Sequence, residues 1–131
     1  MRYLGIDYGE KRIGLALSDM GGLIASPHSM VSNDSKALAY ITSLIRDEGV
    51  ERLVMGDTRA VGGSINMVTP DAERFAQALT RVSGIPVDLA YEGWSSFEAA
   101  RYAPGDLHDD SVAAAVILQR FIDMTSGDTV E

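Results

Sequence analysis

The segment Leu4–Asp19, LGIDYGEKRIGLALSD, constrains the fold more than any other stretch of this chain. Tyr3, Gly5 and Asp7 alternate with Leu4 and Ile6 at the two-residue period of a strand, and Tyr8-Gly9-Glu10-Lys11 supplies a turn. Arg12, Gly14, Ala16 and Ser18 then alternate with Ile13, Leu15 and Leu17. The pattern predicts a β-hairpin whose first strand ends on an acid, Asp7, with two cations, Lys11 and Arg12, close by. A strand end of this kind is a usual place for a metal-bearing carboxylate. Asp and Gly also favour turns on backbone grounds, so the hairpin alone leaves turn chemistry and a site equally open.

Downstream, Gly21-Gly22 turns the chain toward a third short apolar segment, around Leu23 to Ala25 or Met30 to Val31. Asn33 or Asp34 then caps a helix with Leu38, Ile41, Leu44 and Ile45 on one face, ending at Gly49. Arg52 to Gly56 reads as a short buried strand, followed by a polar, glycine-bearing loop from Asp57 to Val68. Thr69-Pro70-Asp71 starts a second helix that runs through Phe75 and Leu79 to Gly84, and Pro86 to Tyr91 is the next strand. Ser95 and Glu98 have capping-box spacing, which predicts a short helix over Phe97 to Tyr102 that Pro104-Gly105 ends. A final helix begins near Asp109 or Asp110 with the apolar block Val112 to Leu118 and continues to Phe121 and Ile122. This order predicts an α/β fold: a mixed sheet with a three-stranded antiparallel start and then parallel strands, flanked by helices. With no internal repeat or linker composition, residues 1–131 read as a single domain.

Composition bounds the function. At 46% hydrophobic residues the chain can bury a real core, removing roughly two thirds of its unfolded surface from water. No apolar run approaches the roughly 18 residues of a membrane span, and the N-terminus enters strand pattern without an export signal. The absence of cysteine excludes disulfides and cysteine-ligated zinc and fits a cytoplasmic location. A net charge of −8 opposes general attraction to phosphate, so any nucleic-acid binding must rest on a local basic patch or on metal.

Three acids stand out by their order. Asp7 ends the first strand, Glu92 directly follows the strand Pro86 to Tyr91, and Asp110 opens the last helix. Asp110 shares a helical stripe with Ala114, Ile117 and Phe121, the face expected to press on the sheet, and small residues at Ala113 and Ala114 would allow close approach to the first strand. Carboxylates converging at strand and helix ends suit hard cations such as Mg²⁺ or Mn²⁺. Two such ions can activate a water and stabilise the leaving oxygen of a phosphodiester. Each acid also has a plain reading: Asp7 as a turn former, Glu92 as a solvated loop residue, Asp110 as a helix cap. An Asp-x-Gly hairpin of this kind is used by RNase H-like nucleases for metal and by the actin and sugar-kinase group for nucleotide phosphates. The latter needs two such domains around its cleft, which 131 residues do not supply.

Gly5-Ile6-Asp7-Tyr8-Gly9-Glu10-Lys11-Arg12-Ile13-Gly14, closed by Ser18-Asp19, resembles the strand-turn-strand signature of the YqgF/RuvX family. The run from Asp110 through Ser111, Val112 and the three alanines to Gln119 is similarly close to that family's C-terminal motif. Val54-Met55-Gly56, Gly62-Gly63-Ser64, Phe75 and Pro86-Val87 fall in the right order between them, so the resemblance covers about residues 2 to 123. It implies an RNase H-like fold and a metal-dependent nuclease acting on structured nucleic acid, either pre-ribosomal RNA or Holliday junctions. Asp7, Glu92 and Asp110 would be its catalytic and metal-holding residues, with Mg²⁺ or Mn²⁺. A four-way junction presents two related strands and would suit a homodimer.

The middle of the chain departs from the family pattern. Gly56-Asp57-Thr58 stands where Gly-Leu-Pro is typical, and Tyr91-Glu92-Gly93 followed by Ser96 where Asp-Glu-Arg and then Thr are expected. The carboxylate and a hydroxyl are kept; the arginine that could hold a phosphate bidentately is not. Residues 104–109 also lack the lysines common there in the family. The remaining candidates for phosphate contact are Lys11, Arg12 and Arg59, with Ser96 as a hydroxyl donor. Asp57 reads as a loop cap in preference to a metal contact. His108 reads as surface in preference to a proton carrier, and Trp94 as core or partner packing in preference to a base-stacking platform. These departures keep a second expectation open, an RNase H-like domain with impaired catalysis that serves as a nucleic-acid or protein binding module.

Overall fold

The computed structural model describes residues 1–57, 69–91 and 110–129. Strands β1 (Tyr3–Tyr8), β2 (Arg12–Ser18) and β3 (Ala25–Ser32) come first, then α1 (Ala37–Glu48), β4 (Arg52–Asp57), α2 (Thr69–Ser83), β5 (Val87–Tyr91) and α3 (Asp110–Thr129). They build one five-stranded sheet in the order β3-β2-β1-β4-β5. β1, β2 and β3 pair antiparallel, whereas β1, β4 and β5 run parallel. This is the mixed α/β sheet that the hydrophobic pattern predicts. Among the described residues no helix is long and apolar enough to cross a membrane.

Alternation along each strand sends its two residue sets to opposite faces. Leu4, Ile6, Ile13, Leu15, Leu17, Leu53 and Met55 lie on one face and pack against Ala37, Ile41, Leu44 and Ile45 of α1 and Ala72 and Leu79 of α2. Ala16, Val54 and Ala90 lie on the other and pack against Ala114, Ile117, Leu118 and Ile122 of α3. The molecule therefore has three layers, with α1 and α2 on one side of the sheet and α3 on the other.

Local details depart from the sequence reading in three places. β3 is one continuous strand through Ser26, Pro27 and His28, not a short apolar segment. As the edge strand it faces water along much of its length and needs no apolar alternation. Its proline pairs with Ala16 on this edge strand, beside the register shift at Leu15/Ala16, a place in a sheet where proline is tolerated. Second, α1 begins after Lys36 without a side-chain cap. Asp34 instead accepts from the Lys36 N–H in a turn, and Asn33 donates from Nδ2 to the Gly9 carbonyl. Third, the stripe of α3 against the sheet runs through Ser111, Ala114, Ile117, Leu118 and Ile122, with Phe121 half-buried at its margin against the Tyr3 ring. The expected ends of α1 and α2 hold, at Gly49 and Gly84, both with positive φ. The predicted short helix over Phe97 to Tyr102 lies outside the described residues.

Candidate active site

The parallel strands β1, β4 and β5 deliver their carboxyl ends to one end of the sheet, the place where open α/β sheets usually bind ligands. Asp7 is there near the end of β1, Asp57 closes β4 and Tyr91 closes β5. The amino end of β2, with Arg12, and the start of α3, with Asp110, reach the same place.

Register explains why these side chains meet. Asp7 pairs with Gly14 across β1 and β2, and Gly14 pairs with Met30 across β2 and β3, so all three share the face that α3 covers. Arg12 lies two residues before Gly14 and takes that face as well. A Cβ on Gly14 would overlap the carbonyl oxygen of Asp110, so the first turn of α3 rests directly on the strand backbone. Gly5 serves the same purpose further along: a Cβ there would lie 2.7 Å from Leu118 Cβ and 3.0 Å from the Ala114 carbonyl oxygen. Ala114 belongs to the contact as expected, while Ala113 is half-buried. The clearance comes chiefly from the strand glycines.

With α3 seated in this way, the Asp110 carboxylate lies beside Asp7 and accepts a hydrogen bond from Arg12 Nε at 3.1 Å. The Asp110 N–H, one of the orphan donors of the helix start, donates to Met30 Sδ at 3.2 Å. Burial, reinforced by the negative charge of Asp110, pushes the Asp7 carboxyl up from 3.8 to about 7. The hairpin turn that carries Lys11 and Arg12 is fixed to the end of β3 through Asn33, whose N–H donates to the Lys11 carbonyl while its amide donates to Gly9. Lys11 is exposed. The cation beside an acid is thus Arg12, and its partner is Asp110, not the Asp7 that sequence proximity suggests.

Two members of the expected acid set, Asp7 and Asp110, are brought together. Glu92 follows the last residue of β5 but, with Arg59 and Ser96, lies outside the described residues, as do Trp94 and His108. Among the described residues no group of three or more metal-ligating side chains forms. Sequence reasoning had passed over Gly14 and Met30 as site-builders. The available signal was the run of small residues Gly14 and Ala16 in β2 opposite Asp7 and Gly5 in β1, which marks a sheet face built for close backbone approach.

The RuvX: Holliday junction resolvase family model matches residues 1–124. A protein of Anaeromyxobacter is 39% identical over 135 residues, covering 94% of this chain and 97% of that protein. One of Syntrophomonas wolfei is 36% identical over 133 residues, covering 94% of each. Both carry the name "Putative pre-16S rRNA nuclease". Among solved structures, Thermus thermophilus RuvC aligns over 97% of each chain with a TM-score of 0.64 at 16% identity. The fowlpox virus Holliday junction resolvase aligns over 95% of this chain and 99% of its own, with a TM-score of 0.57 at 9% identity. These two likenesses establish the RNase H-like fold, and the match along nearly the whole chain, with the acid-ended hairpin and the acid-started helix both inside it, makes this protein a member of the RuvX family of nucleases.

Proposed function

We propose that this protein is a metal-dependent nuclease that hydrolyses phosphodiester bonds in structured nucleic acid, with Asp7, Glu92 and Asp110 holding Mg²⁺ or Mn²⁺. The observation that carries this reading is the pairing of Asp7 with Asp110 at the carboxyl end of the parallel strands. Their donor set fits a hard divalent cation: oxygen only, on two rigid elements, with one carboxyl so disfavoured as an anion by burial and by its neighbour that a bound cation would relieve it. When bound, the metal would supply a nucleophilic water at neutral pH and Lewis-acid stabilisation of phosphoryl oxygens. The protein's own share is positional. β1 and α3 fix two carboxylates against each other, and Arg12, Lys11 and Arg59 would meet backbone phosphates, with the Ser96 hydroxyl as a further donor.

The relatives' names direct the substrate choice to precursor 16S ribosomal RNA, and the family model and the RuvC solved with a Holliday junction direct it to branched DNA. The deciding experiment incubates the purified protein with labelled precursor RNA and labelled four-way DNA junctions. Each is tested with Mg²⁺, with Mn²⁺ and with EDTA, and Asp7→Asn is the blank. Metal-dependent cleavage of one substrate, lost in the variant, is the expected result; equal cleavage by Asp7→Asn would overturn the assignment.

A second reading rests on the sequence Tyr91-Glu92-Gly93, where the family's arginine is absent, and on the net charge of −8. It makes the chain a binding module with impaired hydrolysis. Binding without turnover in the same assay would favour it. Both readings treat the chain as a single RNase H-like domain acting in the cytoplasm.

A further inference from the structure

The contact between Arg12 and Asp110 joins two groups that the nuclease reading needs elsewhere. Asp110 must turn its oxygens to a divalent cation, and Arg12 lies at the same sheet end, 54% exposed, where a phosphate backbone would arrive. Their bond is made through Arg12 Nε to Asp110 Oδ2, so one of the guanidinium's five donors holds an oxygen that a metal would claim. Exposed ion pairs of this kind contribute little to stability, which makes the contact easy to exchange. A divalent cation on Asp110 would both compete for the oxygen and repel the guanidinium. Once released, the planar fork of arginine matches a phosphate diester better than it matches a single carboxylate oxygen. Arg12 cannot move far, because Asn33 ties the Gly9–Lys11 turn to the end of β3, so release leaves it at the mouth of the site.

We propose that Arg12 is a counter-ion switch: it neutralises Asp110 while no divalent cation is held, and metal binding frees it to take a phosphate of the nucleic-acid backbone. Metal loading and nucleic-acid binding are then coupled through one side chain, and by linkage the coupling is reciprocal. The inference rests on the reading of Asp7 and Asp110 as metal-holding residues.

The test measures Mn²⁺ binding by the electron paramagnetic resonance of free Mn²⁺ in the wild type, Arg12→Gln, Arg12→Lys and Asp7→Asn. It also measures anisotropy of a labelled four-way junction with and without Ca²⁺ at constant ionic strength. Arg12→Gln should bind Mn²⁺ about two- to fivefold more tightly than the wild type, the weight of an exposed ion pair. It should also lose the gain in junction affinity that the cation gives the wild type. Arg12→Lys, which keeps the charge without the fork, should fall between them on both readouts. Unchanged or weaker Mn²⁺ binding in Arg12→Gln, with binding still abolished by Asp7→Asn, would overturn the switch alone. Wild-type Mn²⁺ binding by Asp7→Asn would overturn the metal reading beneath it. Thermal melts of all variants confirm that a folded protein is being compared.

Discussion

The two faces of the sheet are built on opposite plans. The face under α1 and α2 is filled with large side chains, Leu4, Ile6, Ile13, Leu15, Leu53 and Met55 among them, all essentially inaccessible to water. The face under α3 is pared down where the helix crosses β1 and β2, at Gly5, Gly14 and Ala16, and at Gly14 helix backbone meets strand backbone. Thick packing holds the first face together by burial, at roughly 1.5–3 kcal/mol for each large side chain. Thin packing on the second gives up some of that stabilisation and gains positional accuracy, because side-chain rotamers no longer stand between β1 and the start of α3. The acids lie on the thin face. A helix held off by leucines could not set its first residue beside Asp7.

The largest effect that tests this contrast is at Asp7. Asp7→Asn should lower cleavage by about 10²- to 10⁴-fold, the weight of several kcal/mol of metal-based transition-state stabilisation. The same change should stabilise the metal-free protein above neutral pH. The Asp7 carboxyl is raised from 3.8 to about 7 in the fold, so the native state holds a proton between those values that the unfolded state has released. Its destabilising effect is therefore absent below about pH 4, grows as pH rises toward 7 and is complete above it, on the order of 4 kcal/mol. Chemical denaturation of the metal-free wild type should track that decline, and Asp7→Asn should flatten it. A pH-independent wild type would mean that the pair is less buried than its geometry requires.

Next come paired substitutions at neighbouring positions of β2, one per face. Leu15→Ala should destabilise by about 2–5 kcal/mol while leaving cleavage per folded molecule unchanged. Gly14→Ala should destabilise by about 1–3 kcal/mol and also depress cleavage, because the new methyl displaces the Asp110 backbone. If both variants lost cleavage only in proportion to folded protein, the division of labour between the faces would fail. The smallest effect is expected at Met30. Met30→Leu removes the sulfur that accepts from the Asp110 N–H and should cost less than about 1 kcal/mol by thermal denaturation, with a minor change in cleavage.

Much of the thick face was legible in the sequence because aliphatic alternation is a direct record of burial. The hairpin, β4, the helix stripe of Leu38, Ile41, Leu44 and Ile45, and the stops at Gly49 and Gly84 all follow from such local rules. The thin face was legible only in part. The order of Asp7 and Asp110 pointed to a site, but glycine in a strand normally reads as weakness, and here Gly14 is the seat of the first turn of α3. The partner of Arg12 was not legible for a related reason. Arg12 is five residues from Asp7 in the chain, yet strand alternation and the docking of α3 set it against Asp110, 98 residues away. β3 was underestimated because an edge strand needs little hydrophobicity, and the side chains of Asn33 and Asp34, expected to cap α1, make hairpin and turn bonds instead.

That separation along the chain has a temporal consequence. Asp7 and Arg12 belong to a local hairpin that can form while most of the chain is still being made, and β3 can add to it by another local connection. Asp110 lies in α3, which follows β4 and β5 in the chain, so it can join only once those strands have been synthesised. A chain lacking α3 would contain all five strands of the sheet but not Asp110. On the proposed reading, the pair of carboxylates that would hold metal is therefore completed only by the last described element, after the sheet that carries Asp7.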